Sequence, residues 1–131
     1  VPNAERKPKR VVLLVEDESV VRFINAEILS GAGYGVIEVG DAHEAIQALE
    51  QHPEVEVLVT DVKMPGWMSG IDLARLAAKQ WPNVAILVTS AYYTASDGDL
   101  PDGMRFLPKP FQPDRLLAEI DRLMNEREAG D

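Results

Sequence analysis

Apolar runs and amphipathic stretches alternate along almost the whole chain. Val11–Val15 and Val55–Val59 are near-continuous runs of Val and Leu, the second interrupted by Glu56. Such runs read as parallel strands buried on both faces. Shorter runs at about Val36–Val39, Ala85–Thr89 and Arg105–Leu107 bring the expected strands to five. Between them lie helical patterns. The first covers about Ser19–Ser30, with Val21, Ile24 and Ile28 on one face, and Gly31 and Gly33 end it. Asp41 and Glu44 have the spacing of a capping box, and the helix they open turns Ala45, Ile46 and Leu49 inward and stops before Pro53. Ser69 is placed to cap a third helix at about Ile71–Gln80, which buries Ile71, Ala74 and Leu76 or Ala77 and is closed by Pro82. Pro113 suits the first turn of the last helix, whose stripe is Leu116, Leu117, Ile120, Leu123 and Met124.

This alternation predicts an α/β fold, a parallel sheet with helices on both faces and right-handed crossovers. One stretch resists. Residues 92–103 (YYTASDGDLPDG) occupy the place of the fourth helix, yet contain Gly98, Pro101 and Gly103. Gly and Pro penalise a helix interior by roughly 1 and 3 kcal/mol, so a shortened or irregular helix of a turn or two is expected there. Residues 1–10 carry two prolines and four basic side chains and read as a flexible leader. Residues 11–127 form one domain, and 128–131 a flexible tail.

The chemistry sits at the ends of the runs. Glu16-Asp17 follows the first and Asp61 the third. If these strands are neighbours, the three carboxylates emerge together at the carboxyl edge of the sheet, where open α/β sheets bind ligands. Crowded carboxylates repel unless a cation lies between them, so the pattern proposes a divalent-metal site with a carboxylate left over to react.

Composition narrows the field. With 131 residues the chain suits one core. A formal charge of -9, from 13 basic and 22 acidic residues, leaves no footprint for a phosphate backbone, so no nucleic-acid partner is expected. The absence of cysteine excludes disulfides and thiolate zinc, and His43 and His52 are too few for a His-rich metal site. No apolar run reaches the length of a membrane span and no secretory signal is visible. A cytoplasmic setting without membrane contact fits.

Glu16-Asp17, Asp61, Met64-Pro65 with Gly70 beyond, Ser90-Ala91 and Lys109-Pro110 come in order, each group at a strand's carboxyl end. Together they resemble the receiver domain of response regulators over about residues 10–127. The resemblance implies a flavodoxin-like doubly wound five-stranded parallel sheet in the order 2-1-3-4-5. It also implies a phosphorylation-activated switch of a two-component phosphorelay, which takes its phosphoryl group from a histidine kinase or a phosphotransfer protein and is no enzyme beyond assisting its own phosphorylation and dephosphorylation. Asp61 is the implied phosphoacceptor. The physical reading agrees, since a carboxylate with a reference pKa of about 3.9 is already ionised and nucleophilic at neutral pH. Mg²⁺ (or Mn²⁺) suits the site, because it takes few carboxylates and binds phosphate oxygens. Asp17, Asp61 and the backbone carbonyl of Lys63 are assigned as ligands, with Glu16 acting through water. Lys109 supplies a point charge and Ser90 a hydroxyl. The Lys109–Pro110 bond is cis by resemblance, although trans is the default for X–Pro.

In the family, a serine after the fourth strand and an aromatic on the fifth act as the switch, here Ser90 and Phe106. The positions two beyond Asp61 and Ser90 set the phosphoryl lifetime, here Lys63 and Tyr92, and a bulky Tyr92 implies slow self-hydrolysis. The chain departs from the pattern in residues 92–103 and in the loop from Val62 to Gly70, about one residue longer than usual, which either shifts the third helix or lays Trp67 near the acidic pocket. Two other functions compete. One is a phosphorylation-independent interaction module on the same fold. The other is a metal-dependent phosphatase resembling the haloacid-dehalogenase group, which wants a second Asp where this chain has Lys63.

Overall fold

The computed structural model describes residues 9–63, 66–91 and 104–130, the last four by their backbone alone. Five strands, β1 (Val11–Val15), β2 (Gly35–Val39), β3 (Val55–Asp61), β4 (Ala85–Ser90) and β5 (Met104–Pro108), form one sheet in the order β2-β1-β3-β4-β5. Every neighbouring pair is parallel. The described helices are α1 (Ser19–Gly31), α2 (Ala42–Gln51), α3 (Gly70–Gln80) and α4 (Pro113–Gly130). This is the flavodoxin-like doubly wound arrangement. The expected irregular helix within residues 92–103 lies outside the described residues.

Strand alternation splits the core in two. Leu13, Val15, Leu58, Ile86 and Val88 pack with α2 and α3 on one face. Val12, Leu14, Val57, Val59, Ala85 and Leu87 pack with α1 and α4 on the other. Glu56 fits this scheme through a register shift: Val11 pairs with Val55, but Val12 pairs with Val57. The acidic residue is left without a β1 partner, and the apolar pattern resumes beyond it.

The helix ends follow their local chemistry. Asp41 accepts from the Glu44 N–H at 2.8 Å, while the Glu44 carboxylate reaches back to the Gly40 N–H at 3.0 Å, one residue before the cap. Ser69 accepts from the Asp72 N–H and caps α3. Gly33, at φ +98°, follows α1 in the left-handed region that only glycine adopts without strain.

Three expectations are corrected. On α1 the buried residues are Asn25, Ala26 and Leu29, whereas Ile24 is 51% exposed beside Val20 (69%) and Phe23 (60%). The helix is apolar on more than one side, and the sheet takes the side that carries small Ala26. Next, α4 runs to Gly130, into the stretch expected to be a tail, because nothing between Glu126 and Ala129 breaks a helix. Finally, Trp67 is 75% exposed and does not line the acidic cleft; it follows Gly66 at φ +100°, where the loop turns.

Candidate functional site

The first, third and fifth strands deliver the chemistry to one edge. Glu16 and Asp17 leave β1, Asp61 ends β3, and Lys109 follows β5. Carboxylate oxygens of Glu16, Asp17 and Asp61 all lie within 4.8 Å of one another. The Lys109 ammonium donates to Asp61 Oδ2 at 2.9 Å and to Glu16 Oε1 at 3.2 Å. One positive charge thus faces three negative ones, which leaves a deficit matched by a single dication. That charge count is the test of fit for a divalent metal, and the hard oxygen donors suit Mg²⁺.

The backbone fixes these positions. The Val62 N–H donates to the Thr89 carbonyl and the Lys109 N–H to the Ser90 carbonyl, which ties the ends of β3, β4 and β5 together. The Gly70 N–H donates to the Val62 carbonyl at 2.8 Å. A side chain at Gly70 would overlap the Asp61 carbonyl, so glycine there allows α3 to start directly on the loop that leaves Asp61. The Lys109–Pro110 bond is cis.

The four groups sit in different surroundings. Glu16 is buried, and its carboxylate accepts from the Glu18 N–H at 3.1 Å as well as from Lys109. Burial raises its pKa from the ordinary glutamate value, against the pull of the Glu18 N–H and the Lys109 charge. Burial also pulls Lys109 down, but the hydrogen bond and charge of Asp61, with those of Glu16, outweigh it and leave the ammonium more basic than usual. Asp61 keeps 13% of its side chain exposed, and the Lys63 N–H stands 3.4 Å from its Oδ1. Asp17 is exposed and receives no hydrogen bond or ion pair from the described residues. It is not a helix cap, since α1 is entered through Glu18 without any side-chain cap bond.

Asp17, Asp61, Lys63, Ser90, Ala91 and Lys109 line a cleft of ≈ 850 Å³, while buried Glu16 does not. The structure therefore brings together Glu16, Asp17, Asp61, Lys63, Ser90 and Lys109. Phe106, partly buried, packs against the core on the α2–α3 face. Tyr92 lies outside the described residues. Sequence reasoning missed Val21 and Asn25 of α1, which line the same cleft with Pro110 and Phe111. A buried amide on an apolar helix face was the available signal for Asn25.

Comparison with known proteins agrees with this geometry. The family described as response regulator receiver domain matches residues 12–121. The response regulator receiver protein CpdR of Brucella abortus is 32% identical over 119 residues, 88% of this chain and 97% of that protein. The sensor kinase CckA of the same organism is 35% identical over 123 residues; these are 89% of this chain but 13% of the kinase, so the match spans a small part of that protein. The crystal structure of a receiver domain from the hybrid histidine kinase CckA superposes with a TM-score of 0.74 at 32% identity, covering 86% of this chain and 97% of that one. A CheY-like receiver domain protein of Methanospirillum hungatei gives 0.84 at 24% identity over 95% of this chain and 100% of that one, a likeness of fold.

Proposed function

The chain belongs to the response-regulator receiver family of two-component systems, and on that premise we propose that Asp61 accepts a phosphoryl group from a phosphohistidine of a histidine kinase or phosphotransfer protein. The observation that carries the reading is the Lys109 ammonium 2.9 Å from the Asp61 carboxylate, on an open cleft that Asp17 also lines, with the buried Glu16 carboxylate within 4.8 Å of both carboxylates.

In the transfer, an Asp61 oxygen forms a bond to phosphorus as the histidine P–N bond breaks, and the imidazole leaves with the electron pair and takes a proton. The carboxylate needs no base, so the protein's part is positioning and charge neutralisation. Lys109 pairs with Asp61 beforehand and with the phosphoryl oxygens afterwards. The Ser90 hydroxyl donates to one of those oxygens, and small Ala91 beside it leaves the backbone room to approach. Asp17, Asp61 and the Lys63 carbonyl would hold Mg²⁺, and Glu16 would act on it through a water. The ion, when bound, supplies Lewis-acid neutralisation of charge on the transferred group. The acyl phosphate carries about two negative charges where the carboxylate carried one, and Ser90 and Phe106 are the residues through which we expect the change to spread.

A protein donor is favoured over a small one by the rim of the cleft. Val21 and Asn25 of α1 line it, and Val20, Phe23 and Ile24 of the same helix stand exposed beside them. A surface carrying phosphohistidine into the cleft must cover that helix.

Incubation with acetyl phosphate and Mg²⁺, read by intact mass, tests the reading. One added phosphoryl group, absent from Asp61→Ala, supports it, and an unmodified wild-type chain overturns it. Phe23→Glu should slow transfer from a phosphohistidine protein several-fold and leave labelling by acetyl phosphate unchanged.

A further inference from the structure

Arg22 bonds from α1 back to the acidic loop. Its Nη1 donates to the Glu16 carbonyl at 2.8 Å, and its Nε lies 3.7 Å from Glu38 Oε1 on β2. The loop it reaches is three residues long, Glu16 to Glu18, between β1 and α1. The Glu16 N–H is held by the Val39 carbonyl of β2 at 3.1 Å. Its carboxylate is held by the Glu18 N–H and Lys109, and its carbonyl by Arg22. Glu16 is therefore fixed at both ends of its backbone and at its side chain. Asp17, the next residue, receives nothing from the described residues. Its carboxylate, without a partner among the described residues, is aimed through the peptides on either side of it: the following one is held by the Glu18 N–H to the Glu16 carboxylate, the preceding one by Arg22.

We infer that Arg22 is a positioning residue for the metal site: by clamping the Glu16 carbonyl to α1 and β2 it sets the plane of the Glu16–Asp17 peptide, and so presents Asp17 to a divalent cation. Arginine suits the task because its planar fork serves a carbonyl and a carboxylate at once, where lysine offers a single point charge. The inference rests on the metal-site reading above and names a residue that touches neither the ion nor the phosphoryl group.

Calorimetric titration of Mg²⁺ into the full chain tests it, with melting temperature measured alongside. Arg22→Met and Arg22→Gln should each raise the Mg²⁺ Kd at least fivefold, and Arg22→Lys, which keeps a donor within reach of the carbonyl, should recover part of the loss. Asp17→Asn is the control and should lose most of the binding. Lower melting temperatures with Kd unchanged in whichever of the Met and Gln variants folds would make Arg22 merely structural and overturn the inference. If Asp17→Asn binds like wild type, the metal-site reading itself fails and the inference falls with it; wild-type affinity in the Arg22 variants beside a weakened Asp17→Asn sinks the inference alone.

Discussion

Two clusters on and just after β5 pair cations with carboxylates, four residues apart, and they are opposites. Arg105 places Nε 3.2 Å from Glu119 and Nη1 3.1 Å from Glu126, and Arg122 lies 3.8 Å from the second oxygen of Glu119. Two guanidinium groups meet two carboxylates, and the charge closes on itself. Lys109 faces Glu16 and Asp61 with Asp17 beside them, and its single charge does not close the balance. The first cluster fastens α4 to β5. The second is left short of positive charge at the mouth of a cleft. Chemistry here comes from an unfinished ion-pair network rather than from an unusual residue.

The comparison can be broken most severely at Arg105. Arg105→Met keeps the stem but leaves the buried Glu119 carboxylate with only the more distant Arg122 guanidinium, at 3.8 Å, and losing one partner of a buried polar group costs about 1–3 kcal/mol. Chemical denaturation should show that loss, while Mg²⁺ affinity stays at the wild-type value. Lys109→Met should do the reverse to the metal. Removing the cation deepens the negative charge between Glu16, Asp17 and Asp61, so Mg²⁺ should bind several-fold tighter, with acetyl phosphate labelling slowed; weaker binding would show that Lys109 organises the carboxylates rather than competing with the ion.

The smallest effect is a spectroscopic control at the opposite edge of the sheet. Tyr34, just before β2, donates to Asp121 of α4 at 2.7 Å. Burial and that carboxylate push its pKa from 10.0 up to about 12. The folded state thus favours the neutral phenol, a contribution fully present below pH 10 and lost as the pH rises through about 12. In a spectrophotometric titration one of the three tyrosines should ionise late, Tyr34→Phe should abolish that phase, and saturating Mg²⁺ should leave it in place.

How much of this was legible beforehand varies with the range of the interaction. The five strands show themselves because a buried parallel strand must be apolar on both faces, and the site follows once strand ends share an edge. Asp61, Asp17 and Lys109 were therefore within reach of the residues themselves. The face of α1 was not. A helix apolar at Val20, Val21, Phe23, Ile24 and Ile28 has several candidate inner sides, and only the sheet decides among them; Ile24 lost to Ala26 and Leu29. Glu56 looked like a flaw in a strand until the register shift opposite Val11 and Val12 explained it. Arg22 carries no local signal either, because its partner is a main-chain carbonyl that only the completed β1–α1 turn brings near.

Lys109 joins several strands at once. Its main chain hangs from β4 at the Ser90 carbonyl, while its ammonium grips residues of the β1 and β3 ends. Four of the five strands are thus laced at one rim by a single residue, like a drawstring. If Asp61 is the phosphoacceptor proposed above, a change in what it holds pulls that cord on four strands at once.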